Sequence, residues 1–159
     1  MIQRIQSVYL LIATIAITIL LFIPIGTFYN DLGGYEFSAF AVRDITPDPS
    51  TQLFTPYLGL ALIISAIFSV VAIFMYKNRN RQIRVVYVSM LVFLLAIMLM
   101  LYVYPDVIFV KKGFIASSEE FVYNFWIMAC MLPAAFCLFF ANKAIKNDEK
   151  KVRAADRLR

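Results

Sequence analysis

Histidine is absent from the chain, cysteine occurs twice, and four long stretches contain no Asp, Glu, Lys or Arg. Each shortage excludes something. Without imidazole there is no side chain whose ordinary titration falls near neutral pH, and the commonest metal ligand is missing. With no ionisable group inside the apolar stretches, proton relays and ion-coupling sites at membrane depth have nothing to work with. Proton-linked transport and metal-dependent hydrolysis are therefore disfavoured. Cys130 and Cys137 lie seven positions apart, about 10 Å along a helix axis, beyond the reach of a disulfide. Neither has a His or Cys partner at ligand spacing, so both are expected to pack as apolar residues. No catalytic, metal-binding or cofactor-binding residue is expected.

What remains is apolar. Hydrophobic residues make up 62% of the chain, against roughly 45–50% in soluble domains. The charge-free stretches run about 7–25, 56–76, 85–104 and 121–141. Each is near the ~20 residues a helix needs to cross ~30 Å of hydrocarbon. These predict an all-α membrane protein, a four-transmembrane-helix bundle forming one domain over residues 1–159, with a charged tail over 142–159. The first stretch follows Arg4 as a secretory signal would. It exceeds the ~7–15 residues of such a signal's apolar region and lacks a small-residue cleavage site, so it is expected to stay as a helix.

Orientation follows from the basic residues. Arg4, the turn KNRNRQIR and the tail hold 12 of the 15 Lys and Arg, leaving Arg43, Lys111 and Lys112 on the other side. That asymmetry predicts both termini in the cytoplasm. The net charge of +5 is then a topology signal beside anionic headgroups, and no nucleic-acid partner is expected.

On the far side, YEFSAFAV alternates so that Tyr35, Phe37, Ala39 and Ala41 share one face of a strand. NDLGG supplies a turn, and the prolines of ITPDPS end the strand. In the second outer segment, VIFV, KKG and FIA suggest a short hairpin, so a small extracytoplasmic β cap is expected. Ser117 and Glu120 have capping-box spacing and, with Glu119, are expected to start the fourth helix. An outer ligand or metal role for the two glutamates is the alternative. Aromatic residues collect at the assigned boundaries: Phe28, Tyr29, Phe54, Tyr57, Tyr102, Tyr104, Tyr123 and Trp126 outside, Phe74, Tyr76 and Tyr87 inside. That is the placement of an interfacial belt.

Within the spans the polar residues are Thr14, Thr18, Ser65, Ser69, Ser89 and Asn124. Ala61, Ser65 and Ser69 form a small-residue ridge for close helix approach, either inside the bundle or against another membrane protein. Pro133 predicts a kink in the fourth helix. Ile5, Val8 and Tyr9 match Ile83, Val86 and Tyr87 in spacing, a hint of two repeated hairpins. In the tail, Glu149 precedes Arg153 by four and Asp148 precedes Lys151 by three, spacings that support a helix. Ile145, Val152 and Ala155 give that helix a narrow apolar stripe. It is either a solvated anchor or a docking surface with Arg153, Arg157 and Arg159 as contacts.

The opening MIQRIQSVYLL, the turn KNRNRQIR and the ending IKNDEKKVRAADRLR together resemble a family of small four-helix inner-membrane proteins of Bacteroidota, domain of unknown function 4293. The resemblance spans the chain. It implies a bacterial cytoplasmic-membrane location and brings no activity or binding residues with it. Three classes of function follow. The first is a non-enzymatic accessory or scaffold subunit contacting the bilayer and other membrane proteins or further copies of itself. The second is a small transporter or channel component acting as an oligomer. The third is a membrane enzyme using the outer-loop carboxylates Asp31, Glu36, Asp44 and Asp106.

Overall fold

In a buried helix seam every fourth and third residue must face the neighbours, and all four helices obey that spacing. The computed structural model describes residues 2–30, 33–45, 51–76, 78–112 and 121–157. Along the chain come α1 (Ile2–Leu20), β1 (Gly26–Asn30), β2 (Gly33–Phe37), β3 (Ala41–Asp44), β4 (Thr51–Phe54) and α2 (Pro56–Phe74). Then follow α3 (Arg79–Met98), a π-helical segment (Leu99–Phe109), β5 (Val122–Tyr123) and α4 (Phe125–Arg157). Buried residues recur at 6, 10, 13, 17 and 20 in α1 and at 58, 62, 65, 69 and 72 in α2. They recur at 82, 86, 89, 93 and 96 in α3, at 100 in the π-helical segment that continues it, and at 127, 131, 134, 138, 141, 145 and 148 in α4. Such alternating steps of four and three are the knobs-into-holes pattern of a bundle. α1 packs on α2 and α4, and α3 packs on the same two, so the helices form a ring in chain order.

Among the described residues, three helical stretches are long and apolar enough to cross a membrane: Pro56–Phe74, Arg79–Phe109 and Phe125–Val152. α1 contributes a shorter apolar stretch, Ile5–Leu20. It ends before the expected Ile25 because Pro24 pushes its predecessor out of the helical region. The chain then enters a sheet through the bond from Ile25 N–H to the Phe37 carbonyl, 2.7 Å.

The sheet is antiparallel in the order β4-β3-β2-β1-β5. Four of its strands come from the first outer segment, where alternation alone suggested fewer. YEFSAFAV is not one strand: β2 ends at Phe37 and β3 begins at Ala41, and although Tyr35, Phe37, Ala39 and Ala41 are all buried, the residue of β3 that shares the face of Phe37 is its partner Val42. Between β2 and β3 the Ser38 N–H and hydroxyl both donate to the Ala41 carbonyl, at 2.9 and 2.8 Å. At the other turn Asn30 pairs with Gly33. Gly33 has φ 149°, a conformation that costs glycine little and other residues much.

Two expectations for the second outer segment are corrected. VIFV is not a strand: Val107–Phe109 lie in the π-helical segment that continues α3, and helix persists through Lys111. The reason is at Pro105, which has no N–H for the carbonyl four residues back and would clash with it in an α-helix. The wider π turn relieves this, and the Tyr123 hydroxyl donates to that carbonyl, on Leu101, at 2.9 Å. KKG's glycine and FIA lie outside the described residues, as do Ser117, Glu119 and Glu120. The fourth helix starts later than Ser117 would have it, at Phe125, where the Asn124 side-chain oxygen accepts from the Trp126 N–H at 3.1 Å. Asn124 is thus a helix cap rather than a polar residue within a span.

Tyr123→Phe removes the donor to Leu101 and is expected to lower stability by about 1 kcal/mol, read as an earlier thermal transition in detergent. Burial, and secondarily the Asp106 carboxylate, pushes the Tyr123 phenol above its ordinary value. It therefore remains a donor at neutral and mildly alkaline pH.

The sheet sits on the end of α3 through a cluster of rings. Phe28 stacks on Tyr35 at 5.2 Å, Phe37 meets Tyr104 at 5.3 Å and Phe109 at 5.1 Å, and Phe121 meets Tyr123 at 4.7 Å between centroids. Phe28 and Tyr104 are therefore core residues and not belt residues. Tyr29, Phe54, Tyr57, Tyr102 and Trp126, and at the other end Phe74, Tyr76 and Tyr87, are exposed as a belt requires. The positions matched between α1 and α3 differ in environment, since Val86 is buried and Val8 is half exposed. α4 continues through Pro133, which lies on its exposed side.

Candidate functional site at the charged end of the bundle

A buried amide or carboxylate is costly unless it finds a partner, so buried polar seam positions mark where this bundle departs from a plain apolar core. Gln6, Gln82, Asn142 and Asp148 are each more than nine-tenths buried at the end that carries the α2–α3 turn. The Gln6 amide donates to the Ala144 carbonyl at 3.4 Å and the Gln82 amide to the Ala72 carbonyl at 2.9 Å. These bonds tie α1 to α4 and α3 to α2. Arg79 Nη1 stands 2.9 Å from Asp148 Oδ2, joining the start of α3 to α4. It is an ion pair without a well-aligned hydrogen bond from that nitrogen. Asp148 therefore reaches across the bundle, where its sequence spacing pointed along its own helix to Lys151.

Removing one partner should show what the pair contributes. Arg79→Ala leaves a carboxylate with about a tenth of its side chain exposed. The expected loss is about 1–2 kcal/mol, between the values for exposed and buried pairs. Thermal unfolding of the purified protein, compared with the double variant Arg79→Ala/Asp148→Ala, measures it. The double variant should recover part of the loss.

The expected small-residue ridge is spent within the chain. Ser65 donates to the Ser89 carbonyl at 3.0 Å and Ser89 returns the bond to the Ser65 carbonyl at 2.9 Å. Ser69 donates to the Leu10 carbonyl at 3.2 Å and accepts from Thr14 at 3.0 Å. Ala61, Ser65 and Ser69 are all buried, so α2 uses this ridge against α3 and α1. Cys130 and Cys137 are free and half-buried.

Arg153 and Arg157 lie in the last turns of α4. Their side chains, and the whole of Arg159, lie outside the described residues. Along the expected apolar stripe, Ile145 is fully buried in the bundle while Val152 is exposed; the side chain of Ala155 is not described. The outer carboxylates do not share one element: Glu36 faces Arg43 across β2 and β3, Asp44 faces Tyr35, and Asp106 is on the π-helical segment. Asp31 is outside the described residues. No group of three His, Cys, Asp or Glu is placed to hold a metal among the described residues.

Grooves flank α4 at this end. One, of about 550 Å³ between α3 and α4, is lined by Tyr87 and Met90 of α3 and by Phe139, Asn142, Lys143, Lys146, Glu149 and Lys150 of α4. A smaller one, of about 370 Å³ between α1 and α4, includes Ile5, Tyr9, Phe140 and Lys151. Sequence reading missed the polar layer. Its signal was present in the seam spacing, because Gln6, Gln82 and Asp148 each continue a four–three series of buried positions.

These features define a helical bundle of membrane character, with apolar helices, a polar layer and basic rim at one end, and an antiparallel sheet at the other. The chain belongs to the family described as "Domain of unknown function (DUF4293)", whose family model matches residues 2–158. Comparison with curated proteins gives no match.

Proposed function

We propose that the chain is a four-span protein of the bacterial inner membrane, with both termini cytoplasmic, that serves as a non-enzymatic accessory subunit of a larger membrane complex. The observation that carries this reading is the single 33-residue helix α4. At ~1.5 Å per residue it is about 50 Å long, well beyond the ~30 Å of hydrocarbon. Its inner part is fastened to the bundle by Gln6 and Arg79, so the charged turns beyond Asp148 leave the membrane on an ordered base. A pre-ordered helix loses little entropy on binding, which favours its use as a docking element.

The runner-up, a transport component, is supported less well. Leu10, Ile17, Leu62, Phe93 and Leu138 are almost wholly buried along the seams, so a polar path would have to be built between copies. The accessory reading is tested by mild solubilisation of native membranes carrying a tagged chain. A membrane-protein partner in fixed stoichiometry is expected, and it should be lost when residues 149–159 are deleted while insertion is retained. Recovery of a monomer or homodimer alone would count against the reading.

A further inference from the structure

Of the features at the charged end, the groove between α3 and α4 has the most ordered chemistry. Lys143, Lys146 and Lys150 are spaced by three and four along α4 and line one groove, as residues on a single helix face do. None of the three lysines forms an ion pair among the described residues. Glu149 also lines the groove, so three lysines against one glutamate leave a net charge of +2. One position before Lys143, Asn142 is 6% exposed and its side-chain oxygen has no hydrogen-bond partner among the described residues. A buried amide left in that state points to a ligand or water that completes it.

The α3 wall is apolar. Tyr87 and Met90 line it, Phe139 lines the groove on α4 before the lysines, and Phe136, Leu91 and Leu94 are further exposed apolar residues on the two helices. From Phe139 to Lys150 the groove thus passes from rings through an amide to ammonium groups. Those eleven steps along α4 cover about 17 Å at the helical rise. The order is that of acyl chain, glycerol region and phosphate in a lipid at the membrane surface.

We propose that this groove holds an anionic phospholipid, its phosphate on Lys143, Lys146 and Lys150, its glycerol region beside Asn142 and its acyl chains against Phe139 and Met90. Lysine suits this as a point charge with rotatable donors, and the volume is within the range of ligand sites. The assignment rests on the spanning orientation proposed above, because the apolar wall must face the bilayer. Charge complementarity selects the anionic lipid, and the apolar wall selects a lipid over a free phosphate.

The full-length protein, stripped of lipid in detergent, is titrated with phosphatidylglycerol, phosphatidylcholine or soluble glycerol 3-phosphate, with bound lipid counted by native mass spectrometry and Tm followed in parallel. Phosphatidylglycerol is expected to bind about tenfold tighter than phosphatidylcholine, and Lys143→Gln/Lys146→Gln/Lys150→Gln should abolish that preference. The control Arg43→Gln/Lys111→Gln/Lys112→Gln removes as much charge elsewhere and should keep it. Equal loss in both variants, or no preference in the unaltered protein, overturns the site. Full stabilisation by glycerol 3-phosphate alone would make the ligand a soluble phosphate and overturn the lipid assignment. Binding in detergent does not depend on orientation, so failure here is distinguishable from failure of the topology.

Discussion

Ser65→Leu is expected to force α2 away from α3 and to lower stability by about 2–4 kcal/mol, the largest effect of any single exchange in the seams. Two costs combine. The Ser65 bond to the Ser89 carbonyl, 3.0 Å, goes with the hydroxyl, and the returning bond from Ser89 to the Ser65 carbonyl, 2.9 Å, is lost as the helices part, at about 0.6 kcal/mol each in a membrane bundle. The larger side chain must then fit where Ser65 is fully buried, and overpacking of this kind costs about 1–3 kcal/mol. Ser65→Ala removes the hydroxyl without adding volume and should cost about 1 kcal/mol. Unfolding by sodium dodecyl sulfate, followed by the signal of the single Trp126, compares the two. Equal effects would mean that shape at this position is unimportant and that the close approach of α2 and α3 is not what the serines maintain.

Gly26→Val is expected to act at the opposite end. A Cβ at Gly26 would stand 2.6 Å from the Val122 carbonyl oxygen and against the Phe121 ring. The carbonyl belongs to the edge pairing of β1 with β5, where Thr27 opposes Val122 and Gly26 opposes Tyr123. Backbone cannot swing aside as a flexible side chain can, so β5 must separate or β1 must shift. The predicted cost is about 1–3 kcal/mol from overpacking. It should be concentrated in the cap, because Phe121 also packs on Phe28, Phe37 and Phe109 at 6.0–6.1 Å. Limited proteolysis should cut the variant in the sheet before the helices unfold. Resistance equal to the unaltered protein would show that the ring cluster tolerates the extra volume.

The contrast between these two sites explains what was readable in the chain. Charge-free length marks helices because hydrocarbon excludes ions, and it located the interiors of all four. Alternation marks a half-buried strand, and it placed Tyr35 and Phe37 on the buried face of β2, but it carried the strand on through the turn that separates β2 from β3. Helix ends were less legible. The third helix passes Pro105 by widening its turn, and the fourth waits for Asn124; both choices depend on a sheet that brings Tyr123 to Leu101.

The seams were hidden for a different reason. In a chain whose exposed helix faces carry Leu11, Ile15, Leu94 and Phe136, the outside is as apolar as the inside, so hydrophobicity has little helical period. Small and polar residues hold the period instead. Ser65, Ser69, Gln82 and Ser89 recur where neighbours come close or where a carbonyl needs a donor. Asp148 looked like one more tail charge, yet it occupies the next seam position after Ile145 and meets Arg79 from another helix.

The central claim is a four-span chain with both termini on one side, and single-cysteine labelling tests it most directly. With Cys130 and Cys137 replaced by Ala, Ile45→Cys, Asn80→Cys or Lys150→Cys is introduced singly at a position exposed to solvent or headgroups, and spheroplasts are treated with a membrane-impermeant maleimide. The account predicts that position 45 is labelled in intact spheroplasts and that positions 80 and 150 are labelled only after lysis. Labelling of positions 45 and 150 from the same side would contradict it.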